Sequence, residues 1–320
     1  MGFLLDSYRF VVTASGNETT AEDNAMTVGG VSSAWVSISS VNDWDGTNWT
    51  AGTALATTIG INSFRGNTDG GINCGGYTGT SGATPALNSC QTWNGSSWTT
   101  RATMSVRRSN GTALGGTEDS ALIANGQDGS GGTQWFTAEQ YDGSANSWSS
   151  ITNSTFGGQS TQGDGIPDDF IKSGGKQDDG GGSYSNNIKV ETWNGSSWTT
   201  LGAGSNYPNA AGSNGAGNVS CSCGVGSDSF MLGFNADGAT GDNVIYKFDG
   251  SSWTNSGDAT TSPSFAGMGG SSDYAIICGD YNGSSPAGTS SSIYNGSSWS
   301  TTNALQTGRT ANGTGATTAS

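Results

Sequence analysis

The chain has 320 residues, of which 55 are Gly and 11 are Trp, carries a net charge of −15 and contains no His. Such acidity excludes nucleic acid as a partner, because phosphate neutralisation needs a cationic surface, and it disfavours anionic membranes. The missing His excludes Ser–His and Cys–His nucleophiles and His-ligated zinc or copper, and no apolar run is long enough for a transmembrane helix.

Residues 1–22 lie ahead of any repeat. Phe3, Leu4, Leu5, Tyr8, Phe10, Val11 and Val12 make an apolar stretch ahead of a polar one. Asp6 and Arg9 interrupt it and no basic region precedes it, so it does not read as a secretion signal. The expectation is an attachment segment, centred on Phe3, Leu4, Leu5, Tyr8 and Phe10, that adds a strand to another subunit. A terminal strand packed on its own domain is the alternative. The start, Phe-Leu-Leu-Asp-Ser-Tyr-Arg-Phe at Phe3–Phe10, resembles the starts of marine phage structural proteins, which implies a virion component.

From residue 23 a phrase returns about every fifty residues, the signature of a modular array. It runs from Trp44 to Trp49, Trp93 to Trp98, Tyr141 to Trp148, Trp193 to Trp198, Phe248 to Trp253 and Tyr294 to Trp299. An aromatic, Asn or Asp, Gly, small polar residues and Trp describe a tight β-hairpin, with Asn-Gly or Asp-Gly suited to positive φ. Trp49, Trp98, Trp148, Trp198, Trp253 and Trp299 are therefore the expected structural anchors. In phase with the phrase, an Asp opens a short apolar run that ends at Gly, as at Asp69–Gly75 and Asp273–Gly279, and a Gly-rich segment precedes it. Each unit reads as four strands, a to d, and the whole as an all-β propeller of six blades.

The first unit lacks a strand a, while residues 307–320 resemble one with nothing after it. The C-terminus is thus expected to close the ring, removing exposed sheet edges. The blades run about 23–50 with 307–320, then 51–100, 101–150, 151–200, 201–255 and 256–306. An apolar strand ending in Gly-Gly (Gly29–Gly30, Gly75–Gly76, Gly174–Gly175), then an aromatic, then Trp, resembles a divergent kelch repeat. Met104 and Arg107–Arg108 resemble the segment after the Trp in such repeats. A kelch-like propeller is what the resemblance implies; it brings no copper-oxidase activity, for which this chain has no His.

Candidate sites follow from this frame. The b–c loops differ from blade to blade and carry Tyr77, Trp135, Tyr184 and Tyr281; aromatics beside Asp, Asn and Ser suit sugars, whose C–H faces stack on rings. Packing at the root of strand c is the competing role for these rings. Asp164, Asp168, Asp178 and Asp179 form an acidic stretch that could hold calcium, although the full alternating ligand loop is missing and a solvated acidic turn explains it as well. The phased Asp residues read as turn residues. Of the five Cys, Cys74 and Cys90 fall on neighbouring strands and could pair; the scattered set of Cys74, Cys90, Cys221, Cys223 and Cys278 otherwise reads as buried thiols. No cofactor is expected. The sequence thus points to a non-enzymatic virion surface protein: a phage fibre, decoration or receptor-binding component. Its partners would be other virion proteins, engaged through residues 1–22, further copies of itself, and cell-surface glycan. A secreted or cell-surface lectin-like module is the alternative, and a carboxylate-dependent glycan hydrolase or lyase a third class.

Overall fold

A computed structural model describes residues 24–79, 86–109, 112–128, 135–158, 160–178, 184–208, 219–226, 229–234, 243–261, 266–280, 288–309 and 313–316. They build six four-stranded antiparallel sheets and one two-stranded hairpin. The innermost strands contact one another in a closed ring, giving a six-bladed β-propeller.

Blade 1 takes its inner strand from the far end of the chain. Gly313–Ala316 pairs with Ala25–Val28, which pairs with Val41–Trp44 and then Trp49–Ala51. The other blades are continuous in sequence. Blade 2 comprises Ser63–Gly66, Gly71–Cys74, Cys90–Trp93 and Trp98–Arg101. Blade 3 comprises Ala113–Gly116, Ser120–Ala124, Ala138–Asp142 and Ser147–Ile151, and blade 4 Gln162–Ile166, Asp169–Ser173, Val190–Trp193 and Trp198–Thr200. Blade 5 comprises Val219–Gly226, Ser229–Phe234, Val244–Phe248 and Trp253–Asp258, and blade 6 Gly267–Gly270, Ala275–Cys278, Ser291–Tyr294 and Trp299–Thr301. In blade 4 the b–c connection carries an extra hairpin, Lys176–Asp178 against Tyr184–Asn186.

Inner strands are poor in side-chain bulk because neighbouring blades converge there. A Cβ on Gly115 would lie 2.5 Å from the Gly165 carbonyl oxygen of the next inner strand. The second strands carry the apolar load: Ala25–Val28, Gly71–Cys74 and Ala275–Cys278 are buried throughout. The two aromatics of each phrase sit directly opposite each other, and their rings meet at 5.0–5.4 Å in all six blades. These tilted contacts add to the area that each ring removes from water.

In the hairpin between them, outside blade 3, Gly alone takes the positive φ for which Asn-Gly and Asp-Gly are suited. In blade 2, Trp93 pairs with Trp98, so four residues form the connection. Only Gly95 takes positive φ (85°). Asn94 works through its side chain: Oδ1 accepts the N–H groups of Ser96 and Ser97 at 3.0 and 2.9 Å. Asp45, Asn194, Asp249 and Asn295 do the same in their blades. These bonds make the connection an Asx-turn rather than a left-handed Asn, and in blade 5 the same backbone donors hold the Asp249 carboxyl down at about 2.

Candidate functional site

Three places concentrate polar chemistry. The first is the central channel. Arg65, on the inner strand of blade 2, reaches across to blades 4 and 5. Its Nε lies 2.7 Å from Asp164 Oδ2. Its Nη2 donates to the Gly163 carbonyl at 2.9 Å and to Ser222 O and Oγ at 3.2 and 3.1 Å. The Asp164 Oδ atoms also accept the N–H groups of Gly165 and Gly224. Burial nonetheless pushes the Asp164 carboxyl up to about 6. This is a latch across the channel, and it commits Asp164 to Arg65. Of the other calcium candidates, Asp168 lies at the a–b turn against Gly195, Asp178 lies on the blade 4 hairpin, and Asp179 falls outside the described residues. Among the described residues no three metal-ligating side chains come together.

The second place is the face bearing the b–c loops. A belt of backbone bridges ties the b–c segments of blades 2, 3 and 6 to the d–a loops beside them: Gly60 with Tyr77, Leu87 with Arg108, Ser109 with Gln127 and Gly288 with Arg309. Beneath it lie buried cations. Arg108 donates to the Asn125 and Thr137 carbonyls and pairs with Glu139 at 2.9 Å, both side chains excluded from solvent. Arg309 stands at the matching loop of blade 1 and donates to Thr27 O, Gly29 O, Ser40 O and Asn42 Oδ1. In blade 4 the loop position is Gly158, and Lys172 on the second strand supplies the charge, 2.9 Å from Glu191.

Of the loop aromatics, Tyr77 is only 5% exposed, so its ring sits beneath the face, in the belt. Trp135 is half-buried; its N–H donates to Gly126 O and its carbonyl accepts from Asn125 Nδ2. Its indole Nε1 is buried without a partner, as is Asp128 Oδ1. Tyr184 lies on the blade 4 hairpin, and Tyr281 is outside the described residues, as are Phe3, Leu4, Leu5, Tyr8 and Phe10.

The third place is the seam between blades 5 and 6, which the sequence reading passed over. In five blades the indole of the outer Trp donates to the preceding blade: Trp49 to Ser291 Oγ, Trp98 to Thr53 O, Trp148 to Ala102 O, Trp198 to Thr152 O and Trp253 to Ser205 O. Trp299 Nε1 is buried with no partner. The cause is a bulge in the outer strand of blade 5, where pairing shifts between Val244 and Tyr246 and Gly257 takes φ 94°. On the same seam a cleft of about 600 Å³ opens, lined in part by Lys247, Asn255, Ser256, Ser272, Tyr294 and Ser297. Lys247 Nζ stands 3.9 Å from Asp273 and 5.4 Å from the Tyr294 ring centroid. Gly257 inside a strand was the available signal, since such a Gly marks a bulge.

No protein-family model matches the sequence, and no curated protein matches it. Solved structures share its fold. One, described as "Structure of YjhT", aligns with a TM-score of 0.57 and 13% identity over 80% of this chain and 87% of that one. A likeness at that identity carries the propeller fold alone.

Proposed function

We propose that the propeller is a non-enzymatic interaction scaffold, a virion surface structural protein of the phage fibre, decoration or receptor-binding kind. One observation carries the reading: the backbone belt and its buried cations fix the roots of b–c loops that differ in sequence from blade to blade. Variable loops on a rigid ring are a recognition surface. The interior acids support it as well, because Asp164, Glu139 and Glu191 are each bound to a cation. In this reading residues 1–22 attach the ring to its assembly. Light scattering on the full chain and on a chain beginning at Asp23 tests that role. Assembly of the full chain with a folded, monomeric shorter chain is expected; two monomers would remove the attachment role.

A glycan-binding module is the second reading, favoured by the blade 5–6 cleft. Its lining of hydroxyls, an amide and an ammonium matches what a saccharide hydrogen-bonds. A glycan array probed with the wild type, Lys247→Ala and Trp135→Ala separates the cleft from the loop face. Loss of binding in Lys247→Ala alone assigns the cleft; loss in Trp135→Ala alone assigns the loops; no binding by the folded wild type ends this reading.

A further inference from the structure

Two thiols face each other inside blade 2. Cys74 ends the second strand, Cys90 begins the third, and the two are direct partners in the register. The next pair along, Gly75 with Ser89, is joined by a backbone hydrogen bond of 3.0 Å. Antiparallel pairs alternate, so Cys74 and Cys90 occupy a non-hydrogen-bonded pair, where Cα atoms approach to about 4.5 Å. That spacing lies within the range of about 4.4–6.8 Å that a disulfide spans. Both side chains are about 1% exposed, and their Sγ atoms are already in contact at 2.6 Å. The remaining cysteines have other partners in their sheets: Cys221 faces Gly233, Cys223 faces Met231, and Cys278 lies between Gly267 and Ser291.

We propose that Cys74 and Cys90 form a cross-strand disulfide, made by exchange with a small-molecule disulfide such as oxidised glutathione while the chain folds. One cysteine thiolate attacks the small disulfide and releases one small thiol. The second cysteine thiolate then attacks the mixed disulfide and releases the other. The protein loses two protons and two electrons, and the small disulfide gains both as two thiols. The order of events follows from burial. The thiolate is the attacking species, and in the closed blade burial pushes the Cys74 thiol well above its ordinary value. Exchange therefore belongs to the open chain, and closure of the blade seals the product from reductant. Such a bond ties strands b and c at the root of the Tyr77 loop, and it persists in an oxidising compartment.

The experiment is oxidative refolding of the full-length, reduced and denatured protein in a glutathione buffer, followed by alkylation under denaturing conditions and intact-mass analysis. The expected product carries three adducts, two fewer than its five cysteines allow, and yields one peptide linking Cys74 to Cys90. Five adducts on natively refolded protein would overturn the proposal, as would a linkage between any other two cysteines. Cys74→Ser serves as the check: it should refold with all four remaining thiols alkylated, and a disulfide persisting in it would also overturn the assignment.

Discussion

The Lys172–Glu191 pair offers the sharpest test of how this propeller holds its blades. Both side chains are wholly excluded from solvent, and Nζ sits 2.9 Å from Glu191 Oε2. Nζ also donates to the Phe156 carbonyl at 2.6 Å and lies 3.5 Å from that ring's centroid, while Glu191 Oε1 accepts the Thr155 N–H at 3.0 Å. Even with these partners, burial draws the Lys172 ammonium down from 10.5 to about 8. The fall corresponds to about 3 kcal/mol of penalty on the charged form at neutral pH. The pair is therefore coupled far more than it is stabilising. Lys172→Met leaves a buried carboxylate alone and should cost about 3–5 kcal/mol, and Glu191→Gln should cost a similar amount by stranding the ammonium. Gln can still accept from Thr155, so the double variant should return to within about 1 kcal/mol of the wild type. Urea unfolding followed by Trp fluorescence reads all four proteins. Additive losses, or a Lys172→Met protein as stable as the wild type, would refute the reasoning. The depressed Lys172 value also fixes a direction with pH: the folded state binds this proton more weakly than the unfolded chain, so stability from this group rises from about pH 8 to 10.5.

Three further outcomes are expected. Asp164, raised by burial from 3.8 to about 6, binds its proton more tightly when folded, so acidification from pH 7 to 5 should stabilise the wild type by on the order of 1 kcal/mol through this group. Asp164→Asn should lack that gain while keeping the one from Asp43, which burial also raises to about 6, so identical pH profiles in urea unfolding would refute the burial of the Asp164 carboxyl. Trp253→Phe should lose about 1 kcal/mol more than Trp299→Phe, because only the first forfeits an indole hydrogen bond, at 2.8 Å to Ser205 O; equal losses in thermal unfolding would contradict the broken seam. Gly75→Ala should cost about 2 kcal/mol or more, since φ is 66° and the new Cβ would meet the Arg108 carbonyl at 2.4 Å; a neutral result in the same assay would contradict the belt geometry.

What was legible in the sequence was what repeats. The Trp phrase, the apolar strand ending in Gly and the orphan C-terminal strand each occur in phase, and together they specify six blades and their closure. What was not legible is what happens once per molecule or between distant strands. Arg65 meets Asp164 and Ser222 only because inner strands of blades 2, 4 and 5 share one channel. Its neighbours along the chain, Phe64 and Gly66, say nothing of this. Tyr77 looked like a loop residue because it follows Gly-Gly, yet its backbone pairs with Gly60 and draws the ring under the face. Likewise Lys172, in Asp-Phe-Ile-Lys-Ser, is a charge in a buried strand that its neighbours along the chain do not account for. Only the loss of the loop cation at Gly158 explains it.

That substitution belongs to a wider pattern. In each of five blades a residue on the entering d–a loop or the second strand meets the residue two places before the first aromatic of the phrase. The meetings are Arg309 with Asn42, Arg108 with Glu139, Lys172 with Glu191, Tyr207 with Tyr246 at 5.2 Å between ring centroids, and Ser292 with Thr261 at 2.8 Å. Two are buried ion pairs, Arg108 with Glu139 and Lys172 with Glu191, and the other three are each of a different kind. Repeats that share the same Trp hairpins and the same small inner strands risk docking in the wrong order, a characteristic failure of repeat chains. A guanidinium that needs a carboxylate is poorly served by a tyrosine ring, and a buried ammonium placed against Ser292 would be left uncompensated. The Trp phrase makes every blade a blade. The contacts set where each loop enters its sheet differ in four chemical kinds, and a loop carrying one kind is a poor fit to a strand that presents another.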